Sequence, residues 1–168
     1  HSIPYRLLSY ADIWIFLNLT LAIAISVPSW NYYTHGTHIT VAHAMGTTIG
    51  INTMLLFASV FYIIQKENKT SIERSKPTIS WGILITNASL LLFWISLLGS
   101  GLLKISGKLN NEVFASIMQK SQPWFRLFAY SGIIIFAGLF ILILAAYKTL
   151  ITSSKKKYPV EEELVTIP

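Results

Sequence analysis

The sequence predicts an all-α, polytopic membrane protein with four transmembrane helices, and three observations lead there. Of its 168 residues 53% are apolar and only 12% are charged, about half the roughly 25% charge of a soluble globular domain. The charged residues fall in short segments between four continuous apolar runs. Each run has at least the about 20 residues that a helix needs to cross a hydrocarbon core.

The elements follow in order. The first span is expected over residues 8–27. Asp12 and Asn18 interrupt it and no small-x-small cleavage site closes it, so it reads as a spanning helix and not as a secretory signal. Pro28-Ser29-Trp30-Asn31 breaks the chain, and the second span runs over 40–64. The polar stretch from Gln65 to Thr78, with Pro77, is expected as a loop. The third span covers 79–103, the stretch from Lys104 to Pro123 is again expected as a connection, and the fourth span covers 127–151. Residues 152–168, with Lys155-Lys156-Lys157 and Glu161-Glu162-Glu163, form a solvated cytoplasmic tail, and residues 1–168 constitute one membrane domain. A β-barrel is disfavoured, because barrel strands are shorter and alternate.

Charge and composition narrow the function classes. The net charge of +6 would raise the question of nucleic acid in a soluble domain. Here it belongs to loops at a membrane surface, so lipid and not nucleic acid is the expected partner. Zero cysteines exclude disulfides, thiolate metal sites, iron–sulfur clusters and cysteine nucleophiles. Arg6 precedes the first span, the loop from Pro28 to Ile39 has no Lys or Arg, and Lys66, Lys69, Arg74 and Lys76 follow the second span. Lys148 and Lys155-Lys156-Lys157 follow the last span, while Lys104, Lys108, Lys120 and Arg126 before it blur the asymmetry. Both termini on the cytoplasmic side is the better fit, which puts Trp30, Tyr32 and Tyr33 at the outer interface.

Gly46 and Gly50, Gly99 and Gly101, and Gly132 and Gly138 offer small residues where helix backbones approach. Asn18, Asn52 and Asn87 are mid-span amides expected to hydrogen-bond between helices. Asp12 is expected near the inner end of its span, within reach of water. No serine sits on a nucleophile elbow and no glycine-rich phosphate loop appears.

Three of the four histidines lie in the segment Asn31-Tyr32-Tyr33-Thr34-His35-Gly36-Thr37-His38-Ile39-Thr40-Val41-Ala42-His43-Ala44-Met45-Gly46. His43 falls inside the second span, where a polar ring needs a partner. That partner is a neighbouring helix, a proton path or a metal, and neutral imidazole is a common haem ligand. Met45 stands two residues on, roughly 200° around a helix that turns about 100° per residue. It is either core filler or a thioether ligand on the opposite face from the imidazole.

The stretch from Asn31 to Met54 resembles the tenth membrane helix, with its leading loop, of the catalytic subunit of bacterial nitric oxide reductases, members of the haem–copper oxidase superfamily. Tyr32-Tyr33-Thr34-His35-Gly36-Thr37 followed by Val41-Ala42-His43 carries the resemblance. Phe93 to Lys104, and Gln119 through Trp124-Phe125-Arg126, extend it, so that the four spans resemble the last four helices of a twelve-helix subunit. The resemblance implies that His43 is the axial ligand of a high-spin haem b facing a non-haem iron. There two nitric oxide molecules are reduced to nitrous oxide and water. It also implies that His35, with Thr37 or His38, lies near the haem propionates.

The family's second histidine, which holds a low-spin haem b, is Met45 here, which implies ligation by a thioether or an altered haem. The non-haem iron ligands of the family lie on helices outside these 168 residues. The remaining helices of the catalytic subunit, on another chain or segment, are therefore expected partners. A cytochrome c subunit or a quinol is the expected electron donor, and the bacterial inner membrane the expected location. Nitric oxide dismutation, oxygen reduction by a sister enzyme, and a non-catalytic haem-binding or structural membrane subunit are the competing expectations.

Overall fold

In the computed structural model residues 2–67 and 69–157 are described, with side chains through Ile151. Helix α1 (Ile3–Ser26) is opened by Ser2, whose Oγ accepts the Tyr5 N–H at 3.4 Å, and by Pro4 in the first turn. It stops at Val27, because the following Pro28 disfavours a helical residue before it and then opens the short helix α2 (Pro28–Thr34). Gly36, at φ +69°, makes the turn from α2 into α3 (His38–Met45). Lys104 donates from Nζ to the Gly36 carbonyl at 3.0 Å and ties this turn to the third span.

The second span is not a uniform α-helix. Between α3 and α4 (Met54–Glu67) the eight residues Gly46–Thr53 form a π-helix, and the Thr53 hydroxyl donates to the Thr48 carbonyl five residues back. Such i→i+5 segments are rare and recur at functional sites.

Helices α5 (Lys69–Leu109) and α6 (Phe114–Lys157) outrun their apolar runs. At 1.5 Å per residue each is roughly 60 Å long, about twice the hydrocarbon thickness. The two stretches expected as loops are therefore corrected. Residues of the Gln65–Thr78 stretch belong to the ends of α4 and α5, and Pro77 lies inside α5. Most of Lys104–Pro123 is likewise helical, with Pro123 inside α6. Each proline removes one hydrogen bond from its ladder, and helices projecting from a membrane tolerate that by local adjustment. The true break is at Asn110–Val113. Asn111 takes φ +53°, Glu112 N–H donates to Gly107 O at 2.9 Å and Asn111 N–H to Lys108 O at 3.2 Å, a Schellman ending. Of the tail expected at 152–168, residues up to Lys157 continue α6, and 158–168 lie outside the described residues.

Four helices are long and apolar enough to cross a membrane. Two apolar clusters join them. One gathers Leu7, Ala11, Met54, Phe57, Phe61, Ile79, Ile83 and Leu142 from α1, α4, α5 and α6. The other gathers Trp14, Ala42, Leu90, Phe93, Leu97 and Ile135, with Met45, Ile49 and Trp94 leaning on it. Helix α1 contributes one stripe, Ile3, Leu7, Ala11, Trp14 and Asn18, at helical spacing. Its opposite stripe, including Leu8, Phe16, Leu19 and Ile23, is exposed.

Most of the expected small-residue contacts are present. A methyl group at Gly46 would stand 2.7 Å from Asn18 Oδ1, at Gly101 2.6 Å from Ile39 Cγ1, and at Gly99 2.6 Å from the Trp124 ring. Gly50 meets Trp14, and Gly138 meets Thr86 with only 3.0 Å to its backbone nitrogen. Gly132 differs, since its nearest neighbour, Phe93, would lie at an ordinary 3.5 Å.

Candidate functional site

The site is built on α3 and the π segment that follows it. Thr37 is the N-cap of α3: its Oγ1 accepts from Ile39 N–H at 3.3 Å and donates to Thr34 O at 2.6 Å. Thr40 donates to the same Thr34 carbonyl at 3.3 Å. The Thr37 hydroxyl, buried at 4% exposure, thus serves the turn itself. His35 caps the end of α2 and is exposed, lining a surface depression with Ser26, Pro28, Asn31 and Tyr32. His38, at the start of α3, is half-buried and lies edge-on to Phe125 of α6, ring centroids 5.2 Å apart. Its Nδ1 is buried without a hydrogen-bond partner.

His43 follows a turn and a half later and is half-buried. Among the described residues its ring makes no hydrogen bond, and its Nδ1 is buried and unpartnered. An idle imidazole nitrogen within an apolar span is costly unless another group completes it. Its backbone is held more firmly than its ring. The Thr47 hydroxyl donates to the His43 carbonyl at 3.1 Å, and the Asn18 side-chain amide of α1 donates to Thr47 Oγ1. Met45 is half-buried and packs against the cluster of Trp14, Ala42 and Leu90.

Of the mid-span amides, Asn18 and Asn87 both bridge helices as expected. Trp14 Nε1 on α1 donates to Asn87 Oδ1 on α5 at 3.0 Å, and Asn87 Nδ2 donates to Ile83 O at 2.8 Å and approaches Met54 Sδ at 3.5 Å. Asn52 instead faces outward. Asp12 is exposed, and because α1 begins at Ile3 it lies nine residues along the helix, about 14 Å from its start. Sequence reasoning missed the π segment, the Lys104 tie and the chain from Asn18 through Thr47 to His43. Only the mid-span asparagine hinted at the last of these, and nothing indicated its partner. Among the described residues, no three His, Asp or Glu side chains gather into a metal site.

An apolar cleft of ≈ 390 Å³ opens between α1, α2, α3 and α5, lined by Leu21, Ala24, Trp30, Ile39, Leu98 and Leu102 among others. His43 does not line it. Fold and site together define a polytopic helical membrane protein that presents an uncompleted imidazole within its second span.

Residues 6–159 match the family described as cytochrome c and quinol oxidase polypeptide I, and the chain belongs to that family, subunit I of the haem–copper oxidases. No curated protein and no solved structure matches it. Membership brings an oxidoreductase role of haem–copper oxidase type in a membrane. Members of the family bind haem and metal centres and work with other subunits and electron donors. The unpartnered ring of His43 fits such a group: iron would complete one imidazole nitrogen, and haem iron is commonly held this way.

Proposed function

We propose that this chain is part of the catalytic subunit of a respiratory nitric oxide reductase. In this reading His43 would hold the iron of the high-spin haem b through its imidazole, and Met45 would hold that of the low-spin haem b through its thioether. The observation that carries it is the idle imidazole of His43, buried at Nδ1. The segment Tyr33-Thr34-His35-Gly36-Thr37 leads into its helix. When bound, the haem irons and a neighbouring non-haem iron supply the redox chemistry. Overall, two nitric oxide molecules, two electrons and two protons give one nitrous oxide and one water.

The residues of this chain hold and orient. α3 carries both His43 and Met45, two residues and roughly 200° apart around the helix, so that one span would present a ligand to each of two haems. His35 and His38, at the outer end, supply imidazoles for the haem propionates, whereas the Thr37 hydroxyl is engaged by the Thr34 carbonyl and the Ile39 N–H. Asn18 and Trp14 on α1 grip the π segment and α5, which keeps the spans at fixed separation.

The remaining partners belong to the same proposal. Helices outside the 168 residues supply the non-haem iron ligands, and a cytochrome c subunit or quinol supplies electrons. Both termini lie on the cytoplasmic side of a bacterial inner membrane. The exposed Trp30 and Tyr32 then sit at the outer headgroups, where amphipathic aromatics settle.

The test is the reduced spectrum, with and without carbon monoxide, of the complex purified through this chain, alongside a His43→Ala variant. Loss of the carbon monoxide-sensitive high-spin band with the low-spin band retained is expected. Retention of both bands overturns the assignment. A second reading, oxygen reduction, is favoured by the match to cytochrome c and quinol oxidases. Turnover of the same preparation with nitric oxide and with oxygen separates the two.

A further inference from the structure

Asn18 lies on the buried stripe of α1 and is only 3% exposed. Its amide donates to the Thr47 hydroxyl, and that hydroxyl donates to the His43 carbonyl at 3.1 Å. A threonine bonding back to the carbonyl four residues earlier is ordinary in a membrane helix. The addition here is an amide from another span that fixes the threonine rotamer. It does so where the π segment Gly46–Thr53 begins. Gly46 makes the approach possible, because a methyl group there would stand 2.7 Å from Asn18 Oδ1.

The π segment gives this contact its consequence. Its i→i+5 bonds take up more chain per turn than the i→i+4 bonds of an α-helix. Relaxation of one π turn to α would slip the helix by about one residue, which is about 100° of rotation and 1.5 Å of rise. Everything on α3 would then turn against the bundle. Ile39 is seated on Gly101 of α5 and would have to leave it.

We propose that Asn18 and Thr47 form a positioning clamp that sets the rotation of α3 about its axis and thereby the direction of the His43 imidazole. The inference deepens the proposed function and rests on the reading of His43 as an iron ligand. Asn18 and Thr47 act through the His43 backbone carbonyl.

The test uses the assembled complex and three changes. Thr47→Val keeps the volume and removes the hydroxyl, Thr47→Ser keeps the hydroxyl, and Asn18→Leu removes the amide. Haem content, the iron–histidine stretching band in resonance Raman spectra and the midpoint potential of the high-spin haem are read. Thr47→Val is expected to shift the band and the potential at unchanged haem content, Thr47→Ser to restore both, and Asn18→Leu to act like Thr47→Val. If Asn18→Leu does not assemble, the two Thr47 variants still decide. Wild-type band and potential in Thr47→Val, with His43→Ala losing the high-spin signal, overturn the clamp alone. Retention of that signal in His43→Ala overturns the ligand reading and the clamp together.

Discussion

Gly50 tests how closely the first two spans are packed. A Cβ built on Gly50 would stand 2.9 Å from Trp14 Cβ and closer still to the indole ring. Carbon atoms at rest lie about 3.5–4.0 Å apart, so in Gly50→Ala either α1 retreats by about 1 Å or Trp14 turns. The indole is not free to turn, because Trp14 Nε1 donates to Asn87 Oδ1 at 3.0 Å and its ring lies edge-on to Trp94 at 6.2 Å. Overpacking a filled core costs about 1–3 kcal/mol, and orphaning a buried donor costs about 1–3 kcal/mol more. Replacing glycine by alanine within a helix returns about 0.5–1 kcal/mol. A net loss of about 1–5 kcal/mol is expected from these terms. Gly132→Ala is the matched control, since its methyl would meet Phe93 at an ordinary 3.5 Å, and a gain of about 0.5 kcal/mol is expected. Equilibrium unfolding of the purified assembly in mixed micelles, followed by tryptophan fluorescence, measures both. A Gly50→Ala variant as stable as wild type, or a Gly132→Ala variant as damaged as Gly50→Ala, would refute the packing argument.

Other outcomes follow from the same geometry. On the proposed function, in which Met45 would hold the low-spin haem, Met45→His should lower that haem's midpoint potential and Met45→Leu should abolish its six-coordinate band, since a thioether raises the potential relative to imidazole; a redox titration with unchanged values in both removes Met45 from the proposed ligand set. Asn87→Leu should cost about 1–3 kcal/mol by leaving the Trp14 indole N–H unpaired, and Trp14→Phe in the same background should recover part of it; double-mutant unfolding curves that simply add would show that the two do not interact. At the break between α5 and α6, the Lys120 ammonium hydrogen-bonds both Glu112 oxygens at 2.8 Å and holds that carboxyl below its ordinary range. A depressed carboxylate pKa means a contribution present above the unfolded value and lost as pH falls through the folded one. Carboxyl NMR of Glu112 should therefore show titration at lower pH in wild type than in Lys120→Met, and identical curves would dismiss the ion pair.

Much of this molecule was legible in its residues. The four spans were, because the length of an apolar run and the thickness of a hydrocarbon layer are compared locally, one helix at a time. The stretches Gln65–Thr78 and Lys104–Pro123 read as loops in the sequence yet are largely helical, because polarity marks where a helix leaves lipid and not where it ends. Pro77 and Pro123 interrupt one bond each without stopping α5 or α6. The stop that does end α5, Asn111 at φ +53°, lies inside the second of those stretches. Of the six glycines singled out, Gly46, Gly50, Gly99, Gly101 and Gly138 have a close neighbour and Gly132 does not. Spacing along one helix cannot tell these apart, since the difference lies in what the adjacent helix brings.

Chain composition by itself determined a four-span helical membrane protein and put His43 and Met45 on its second span. Only the tertiary structure decided that the Asn18 amide would reach Thr47, the residue that bonds back to the His43 carbonyl. It also decided that the segment beyond Met45 would be π and not α. The physical reason is range. Spanning is a balance between one segment and the solvent around it, whereas a register and a hydrogen bond between helices exist only when side chains 29 residues apart are carried to the same depth in the bilayer.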